Sequence, residues 1–264
     1  ALWPDHPYGF PILGTRDTVG ALTADHLRGL HTDRYVPGQC VIAAAGRVEP
    51  ETLLAALEQE GWLAGNGPVP AAPAVAQGAP ARGVEQRPAR DTAQVHAVLG
   101  SDTFPVRDPR RYALSIVVNA LGGGMSSRLF QRVREELGLA YSVYAYHQLF
   151  QTAGQVGVYV ATSPETADQA LAVIREELDR LAREGLTAVE LAHGRQQLKG
   201  QLMLSLESSS SRMHRLASLE LQQDRYRPLD DVLASIDAVT QETTDALCAE
   251  FFQPGRQTTV RLGG

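Results

Sequence analysis

The sequence predicts an α+β fold in which a mostly antiparallel sheet carries helices on one face. Two observations lead to this prediction: candidate strands precede a run of helices, and one helix–turn–strand pattern occurs twice. A sheet or helix that is apolar on one side must bury that side against another element, and segregated strands and helices are typical of this class. A length of 264 residues allows one large domain or two ordinary ones.

An internal repeat relates the beginning of the chain to its end. Residues 22–46 (LTADHLRGLHTDRYVPGQCVIAAAG) align without a gap to residues 239–263 (VTQETTDALCAEFFQPGRQTTVRLG), at an offset of 217. Each copy predicts a Thr N-cap, an amphipathic helix, a Pro-Gly turn and an apolar strand, which indicates an internal duplication. The matched positions are Thr23 with Thr240, Leu30 with Leu247, Tyr35 with Phe252, Pro37-Gly38 with Pro254-Gly255, and Gly46 with Gly263.

The repeat also predicts how the chain is divided. Its second copy closes a unit that begins near Ala81, after the Pro/Ala/Gly-rich segment AGNGPVPAAPAVAQGAP. We therefore predict that residues 1–65 are the C-terminal remnant of a first half-unit, 66–80 a linker, and 81–264 a second half-unit. The same offset would start the first unit about 136 residues before Ala1. The sequence is therefore expected to belong to a longer protein.

The second half-unit is expected to begin with strands and end with helices. Candidate strands cover residues 81–88 and 92–101, and a strand pair covers 139–146 and 154–162. Helices are predicted at 108–124, 126–138, 163–185, 188–206, 210–224 and 230–239.

Two of these helices carry specific end signals. Gly138 should end the helix at 126–138, and Gly185 the helix at 163–185, where Ser163 is the expected N-cap and Pro164 the first residue. The apolar faces are expected to be Leu129, Phe130, Val133 and Leu137 in the first helix, Leu171, Ile174, Leu178 and Leu181 in the second, and Val156, Val158 and Val160 in the preceding strand.

Charge and composition exclude several classes of function. The formal net charge of −6 gives no basic face for nucleic acid or an anionic membrane, and no apolar run reaches the length of a membrane span. Two cysteines, Cys40 and Cys248, are read as free thiols. Lys199 is the only lysine among 24 basic residues, which together with abundant Ala and Gly fits a GC-rich bacterial genome. The compartment is predicted to be cytoplasmic or periplasmic, with no choice between them.

No metal, nucleotide or serine-nucleophile motif is found in the sequence. The run GGGMSSRL follows a predicted helix and lacks the Gly-Lys-Ser/Thr ending of a phosphate loop, so a helix end explains it better. Glu190 and His193 are three residues apart, but no second such pair accompanies them, and a solvent-facing pair is favoured. The motifs H-E-x-x-H, H-x-x-E-H and G-x-S-x-G are absent.

The stretch REELGLAY places Arg134 seven residues before Tyr141, across a predicted helix end. On physical grounds alone a structural interpretation is favoured. An Arg in the last helical turn complements the helix dipole, and a Tyr suits a half-buried strand.

A resemblance reverses this preference. The chain resembles the pitrilysin/insulinase family of inverted-zincin zinc metallopeptidases, most closely its processing-peptidase-like branch. The stretches that carry the resemblance are DHPYGFPILGTRDTV, RYVPGQCVIAAAG, LGGGMSSRLFQRVREELGLAYSVYA and LKGQLMLSLESSSSRM. The family fold implies two homologous α+β halves that close around a chamber. It also implies that the zinc ligands lie upstream of this chain, which itself should hold no metal.

The resemblance further implies roles for individual residues. Arg134 and Tyr141 match the pair that reaches a peptide substrate at the zinc, where the Arg and the phenol hydroxyl could stabilise negative charge on the carbonyl oxygen. Gly122, Gly123 and Gly124 could permit close approach to the substrate, and helix capping explains them equally well. Expected partners are a peptide, the missing N-terminal half-unit, and a second copy or a paralogous subunit.

Three functions remain open from the sequence. The preferred one is the substrate-clamping half of a zinc endopeptidase, inactive when alone, with the peptide added as a strand to a sheet edge of the first half. The second is an inactive partner or structural core subunit of a peptidase-like complex. The third is a peptide-binding module without chemistry.

Overall fold

The computed structural model describes residues 1–63, 79–222 and 226–264. The chain forms two compact units: one contains Ala1–Pro4, Ala79–Leu202 and Arg227–Gly264, and the other contains Asp5–Gly78 and Met203–Tyr226. We call the first the sheet unit and the second the small unit. Most of the linker predicted at 66–80, and the end of the helix predicted at 210–224, lie outside the described residues. The predicted half-unit boundaries remain a prediction.

A five-stranded sheet forms the centre of the sheet unit, with strand order β1-β5-β2-β4-β3. The pairs β2–β4, β2–β5 and β3–β4 are antiparallel, and the short β1 pairs with β5 in parallel. This arrangement confirms the predicted α+β class. The strands are β1 Glu85–Gln86, β2 Val95–Thr103, β3 Ala140–Leu149, β4 Gly154–Thr162 and β5 Thr258–Leu262.

Helices cover one face of this sheet and bury its apolar side chains. Val156, Val158 and Val160 are buried as the alternation predicted, and Val158 lies between its register partners Leu99 on β2 and Ala145 on β3. The helices of the sheet unit are α4 Arg111–Gly122, α5 Ala167–Glu184, α6 Ala188–Ser205 (whose last three residues belong to the small unit), α8 Leu229–Asp237 and α9 Gln241–Phe251.

The predicted start of α5 is wrong by a few residues. Its N-cap is Thr166 rather than Ser163, and Pro164 precedes the helix. The reason is a turn in which the Thr162 hydroxyl donates to the Leu139 carbonyl oxygen and the Thr166 hydroxyl lies 2.6 Å from the Thr162 hydroxyl. The end at Gly185 is confirmed, with a φ of 68°. The predicted stripe is also confirmed, since Leu171, Ile174, Leu178 and Leu181 are all buried.

The small unit contains short helices around the first copy of the repeat. Its helices are α1 Arg16–Gly20, α2 Ala24–Arg34, α3 Pro50–Gln59 and α7 Ser209–Leu221. Helix α2 is followed by a 3₁₀ turn at Pro37–Gln39, and α9 is followed by one at Pro254–Arg256, so the bounds of both elements reproduce the offset of 217.

The two copies of the repeat differ in their last segment. Thr23 and Thr240 both cap their helices through the side chain, as predicted. In the second copy the next segment is β5, which pairs with β1 and β2. Residues 41–45 of the first copy form no strand within the described part of the chain. The predicted first strand is therefore wrong here, because a strand needs a neighbour to accept its backbone hydrogen bonds.

Within the described ranges, none of the helices is both long and apolar enough to cross a membrane.

Candidate functional site

Arg134 lies in a π-helical segment, Phe130–Glu136, where an α-helix was predicted. Leu129 and Val133 are fully buried and hold this segment against the core, whereas Leu137, predicted on the same face, is 37% exposed. The wider turn of a π-helix explains this difference, because it rotates later residues off the face that an α-helix would present. Single π turns are frequent at functional sites.

A glycine corner connects this segment to strand β3. Gly138 has a φ of 58°, in the left-handed region that glycine adopts most readily, so the predicted helix end is confirmed. The Leu139 N–H donates to the Val133 carbonyl oxygen over 2.9 Å, which closes the corner. The corner therefore fixes the position of Arg134 relative to the first residues of β3.

Tyr141 is the extra residue of a β-bulge at the start of β3. Ala140 pairs with Thr162 and Ser142 pairs with Ala161, so Tyr141 has no register partner on β4. Both Ala140 and Val143 are buried, which regular alternation could not allow, and Tyr141 is 80% exposed. The bulge thus turns Tyr141 out of the sheet, in agreement with the tendency of bulges to redirect side chains near active sites.

The structure brings the two predicted site residues into direct contact. The guanidinium carbon of Arg134 lies 4.5 Å from the centroid of the Tyr141 ring, and it lies 4.7 Å from the centroid of the Phe130 ring. Such cation–π contacts contribute about 0.5–1 kcal/mol each at exposed positions. Phe130 was predicted only as a residue of the apolar helix face. Its position four residues before Arg134 could have indicated the contact between the two side chains.

The donors of this pair remain available to a ligand. The two rings lie near the guanidinium carbon, and an aromatic ring does not take the place of an oxygen acceptor for the guanidinium N–H groups. The Nε atom of Arg134 lies 3.6 Å from a carboxylate oxygen of Glu135, which is too long for a hydrogen bond. A planar guanidinium and a phenol hydroxyl can together bind a peptide carbonyl, a carboxylate or a developing oxyanion.

The three glycines that precede the segment occupy different environments. A Cβ on Gly122 would lie 2.3 Å from the Ala145 backbone nitrogen, so this glycine allows α4 to pack closely on β3. A Cβ on Gly123 would collide with Asn119, one turn earlier in the chain. Gly124 is exposed, with only the Gln197 side chain near its hypothetical Cβ, at 3.9 Å. Close packing of α4 on β3 therefore explains why position 122 is a glycine, whereas the space around Gly124 is open to a ligand.

A partly buried ion pair supports the start of the segment that carries Arg134. Arg128 donates to both carboxylate oxygens of Glu190, over 2.6 and 2.7 Å, and to the Gly185 carbonyl oxygen over 2.9 Å. Glu190 also accepts hydrogen bonds from the backbone and the hydroxyl of Thr187. Burial alone would raise the pKa of Glu190, but the bonds from Arg128 and Thr187 outweigh it and lower the pKa to about 2.

This pair corrects the solvent-facing reading of Glu190 and His193. Glu190 is the partly buried partner of Arg128 and closes a capping box with Thr187, while His193 is exposed. Among residues 1–63, 79–222 and 226–264, no group of three or more His, Cys, Asp or Glu side chains could hold a metal ion. The described residues therefore do not fit a zinc site.

Comparison with known proteins points to one family. Residues 21–198 match the peptidase M16 inactive domain. An uncharacterized zinc protease of Streptomyces coelicolor is 39% identical over 268 residues, which cover 100% of this chain and 58% of that protein.

Two solved structures share the fold. The peptidase M16 inactive domain from Pseudomonas fluorescens has a TM-score of 0.88 at 23% identity, over 99% of this chain and 63% of that one. A chain of complex III2 from Candida albicans, with Inz-5 bound, has a TM-score of 0.84 at 20% identity, over 99% and 64%. This chain thus spans less than two thirds of the length of each protein compared.

Proposed function

Because this chain belongs to the peptidase M16 family, as its resemblance predicted, we propose that it is the substrate-clamping part of a zinc endopeptidase. Its relatives from bacteria are named as zinc proteases, and it spans only part of their length. In this proposal the chain binds the peptide and a half-unit outside these 264 residues holds the zinc.

The contact between Arg134 and Tyr141 is the observation that carries the proposal. It places a charged planar donor and a phenol donor side by side on a glycine corner and a bulged strand. Peptide hydrolysis develops negative charge on the carbonyl oxygen, and donors that are already oriented stabilise that charge at little reorganisation cost. Gly122, Gly123 and Gly124 lie just before this segment, and the exposed Gly124 is the one best placed to contact the peptide backbone.

The exposed apolar surface of the small unit supports a covering half-unit. Tyr35 follows α2 and is 61% exposed, whereas Phe252, its counterpart after α9, is only 2% exposed. Val41 is likewise exposed, whereas its counterpart Thr258 is buried in β5. In the proposal, residues 1–65 complete a first half-unit whose sheet lies outside this chain, and the two half-units enclose the peptide in a chamber.

The alternative is an inactive partner or structural core subunit, bound to a paralogous chain or to a second copy of itself. It is supported by the description of the matched domain as inactive. Zinc content of the full-length protein, purified alone, separates the two. Stoichiometric zinc supports the peptidase, while a protein that turns over peptides only with a paralogous partner supports the alternative.

The peptide clamp is tested by Arg134→Lys in the full-length protein. Lysine keeps the charge but loses the planar fork and its stacking, so turnover of an internally quenched peptide should fall by about tenfold or more. Arg132→Lys is the matched control, because Arg132 pairs with Glu136 on the surface and contacts neither ring. Equal turnover by Arg134→Lys and Arg132→Lys would contradict the clamp.

A further inference from the structure

We propose that Phe130 is a positioning residue that holds the Arg134 guanidinium in the orientation required to bind a peptide. This inference rests on the proposed clamp and adds to it a third residue, which contacts Arg134 rather than the substrate.

Phe130 offers an anchored surface for the long Arg134 side chain. It is half-buried at the first position of the π segment and is followed four residues later by Arg134. Its neighbours Leu129 and Val133 are fully buried, so the backbone that carries the ring is anchored in the core. The Arg134 side chain is itself 34% exposed, and its guanidinium carbon lies 4.7 Å from the Phe130 centroid.

Tyr141 alone gives a weaker restraint. It contacts Arg134 at 4.5 Å, but it is 80% exposed and belongs to a bulge without a register partner on β4. Among the described residues, the one ion-pair partner of Arg134 is Glu135, beyond hydrogen-bond distance. The orientation of the guanidinium therefore depends on the two rings, and Phe130 is the better anchored of them.

Stacking is suited to this task because it leaves the donors free. A carboxylate partner would occupy the N–H groups that a peptide oxygen needs, whereas an aromatic ring attracts the guanidinium charge without supplying an oxygen acceptor. Holding a long side chain in its binding geometry before the ligand arrives lowers the entropy cost of binding. Loss of the Phe130 ring should thus weaken peptide binding while the donors themselves remain.

The test uses Phe130→Leu in the full-length protein, with fluorescein-labelled insulin B chain as an unstructured peptide probe. Affinity is measured by anisotropy in the presence of EDTA, so that no cleavage takes place, and turnover is measured separately with zinc. We expect about fivefold weaker binding. Phe130→Tyr, which keeps a ring, should bind like the wild type. Phe150→Leu is the matched control, because Phe150 is half-buried against Trp3 in the same unit.

A double-mutant cycle with Arg134→Gln distinguishes positioning from a general structural role. If Phe130 acts through Arg134, then Phe130→Leu should cause no further loss of affinity once Arg134 has been replaced. Urea denaturation of each variant checks folding. Phe130→Met, which fills the same space without a ring, replaces Phe130→Leu in the cycle if the latter does not fold.

The outcomes separate the two proposals. Unchanged affinity of Phe130→Leu, or additive losses in the cycle, would overturn the positioning role while the clamp stands. Unchanged affinity of Arg134→Gln, or a wild-type protein that does not bind the peptide, would overturn the clamp and with it the role of Phe130.

Discussion

Leu30 and Leu247 occupy the same position in the two copies of the repeat, but Leu247 is fully buried and Leu30 is 55% exposed. Both lie on helices of eleven residues with a Thr N-cap. The difference therefore comes from what covers each helix. Leu247 belongs to the core beneath the sheet, and the small unit offers Leu30 no comparable cover within the described residues.

This difference predicts opposite responses to the same substitution. In the 264-residue chain, Leu247→Asp should lower the free energy of unfolding by more than about 4 kcal/mol, because it buries an unpaired carboxylate. Leu30→Asp should change it by less than about 0.5 kcal/mol, since the side chain stays in water. Urea denaturation followed by circular dichroism measures both.

The full-length protein gives the decisive comparison for Leu30. If an additional half-unit covers the small unit, Leu30→Asp should become destabilising there by about 2 kcal/mol or more. A full-length protein that tolerates Leu30→Asp as well as the shorter chain does would contradict that cover.

Removal of one hydroxyl tests the second donor of the clamp. If the full-length protein is the proposed peptidase, its Tyr141→Phe variant should have a kcat lower by about one to two orders of magnitude, as for the loss of an oxyanion donor. Stability should not change, because the side chain is exposed and the ring still contacts Arg134. Tyr226→Phe, at another exposed Tyr that contacts an Arg, serves as the control. Unchanged kcat for Tyr141→Phe would remove the hydroxyl from the mechanism.

Two neighbouring glycines should differ in their tolerance of alanine. Gly122→Ala should destabilise the chain by about 2–3 kcal/mol, since its methyl group would collide with the Ala145 backbone. Gly124→Ala has open space and should leave the denaturation midpoint within error. Peptide affinity of Gly124→Ala then reports on substrate contact, and an affinity equal to wild type would assign this glycine to chain geometry alone.

The pair between Arg128 and Glu190 predicts a pH-dependent contribution to stability. The folded pKa of Glu190 is about 2, below its ordinary value of 4.5, so the folded protein binds this proton more weakly than the unfolded chain. The contribution is complete above pH 4.5 and is lost as the pH falls toward 2. Glu190→Gln should therefore lower the unfolding free energy by about 1–3 kcal/mol at neutral pH.

Glu190→Gln should lower the unfolding free energy by a smaller amount in acid, because protonation of Glu190 then removes the charged pair from the wild-type protein as well. Urea titrations at about pH 7 and about pH 3 measure the difference, with the exposed Glu184→Gln as the control. If the loss of unfolding free energy caused by Glu190→Gln is as large at low pH as at neutral pH, the predicted pH dependence does not come from Glu190.

Local patterns were sufficient to predict most of the sheet unit. Alternating valines located β4, the stripe from Leu171 to Leu181 located α5, and Gly138 and Gly185 marked the ends of their helices. Each of these features is encoded within a single helix or strand, by the residues that face the core or by the residue that ends the element. The repeat likewise predicted both helices because their capping residues lie within the same short segment.

Features that depend on distant residues were not predicted. The bulge at Tyr141 becomes visible only through the register with β4, and the pairing of Glu190 requires Arg128, 62 residues earlier. Helix α5 begins later than predicted because the Thr162 hydroxyl binds the Leu139 carbonyl oxygen and the Thr166 hydroxyl contacts that of Thr162. Each of these contacts joins two segments whose proximity the sequence pattern does not encode.

The bulge that turns Tyr141 outward makes the proposed clamp separable from the fold. If Tyr141 were deleted, Ala140 would still face the core, Ser142 would face outward and Val143 would face the core, so the strand would regain regular alternation. A single-codon deletion could therefore abolish the clamp while leaving the hydrophobic core intact. By the same reasoning, one inserted residue at this position could turn a side chain outward again without moving the buried residues on either side of it.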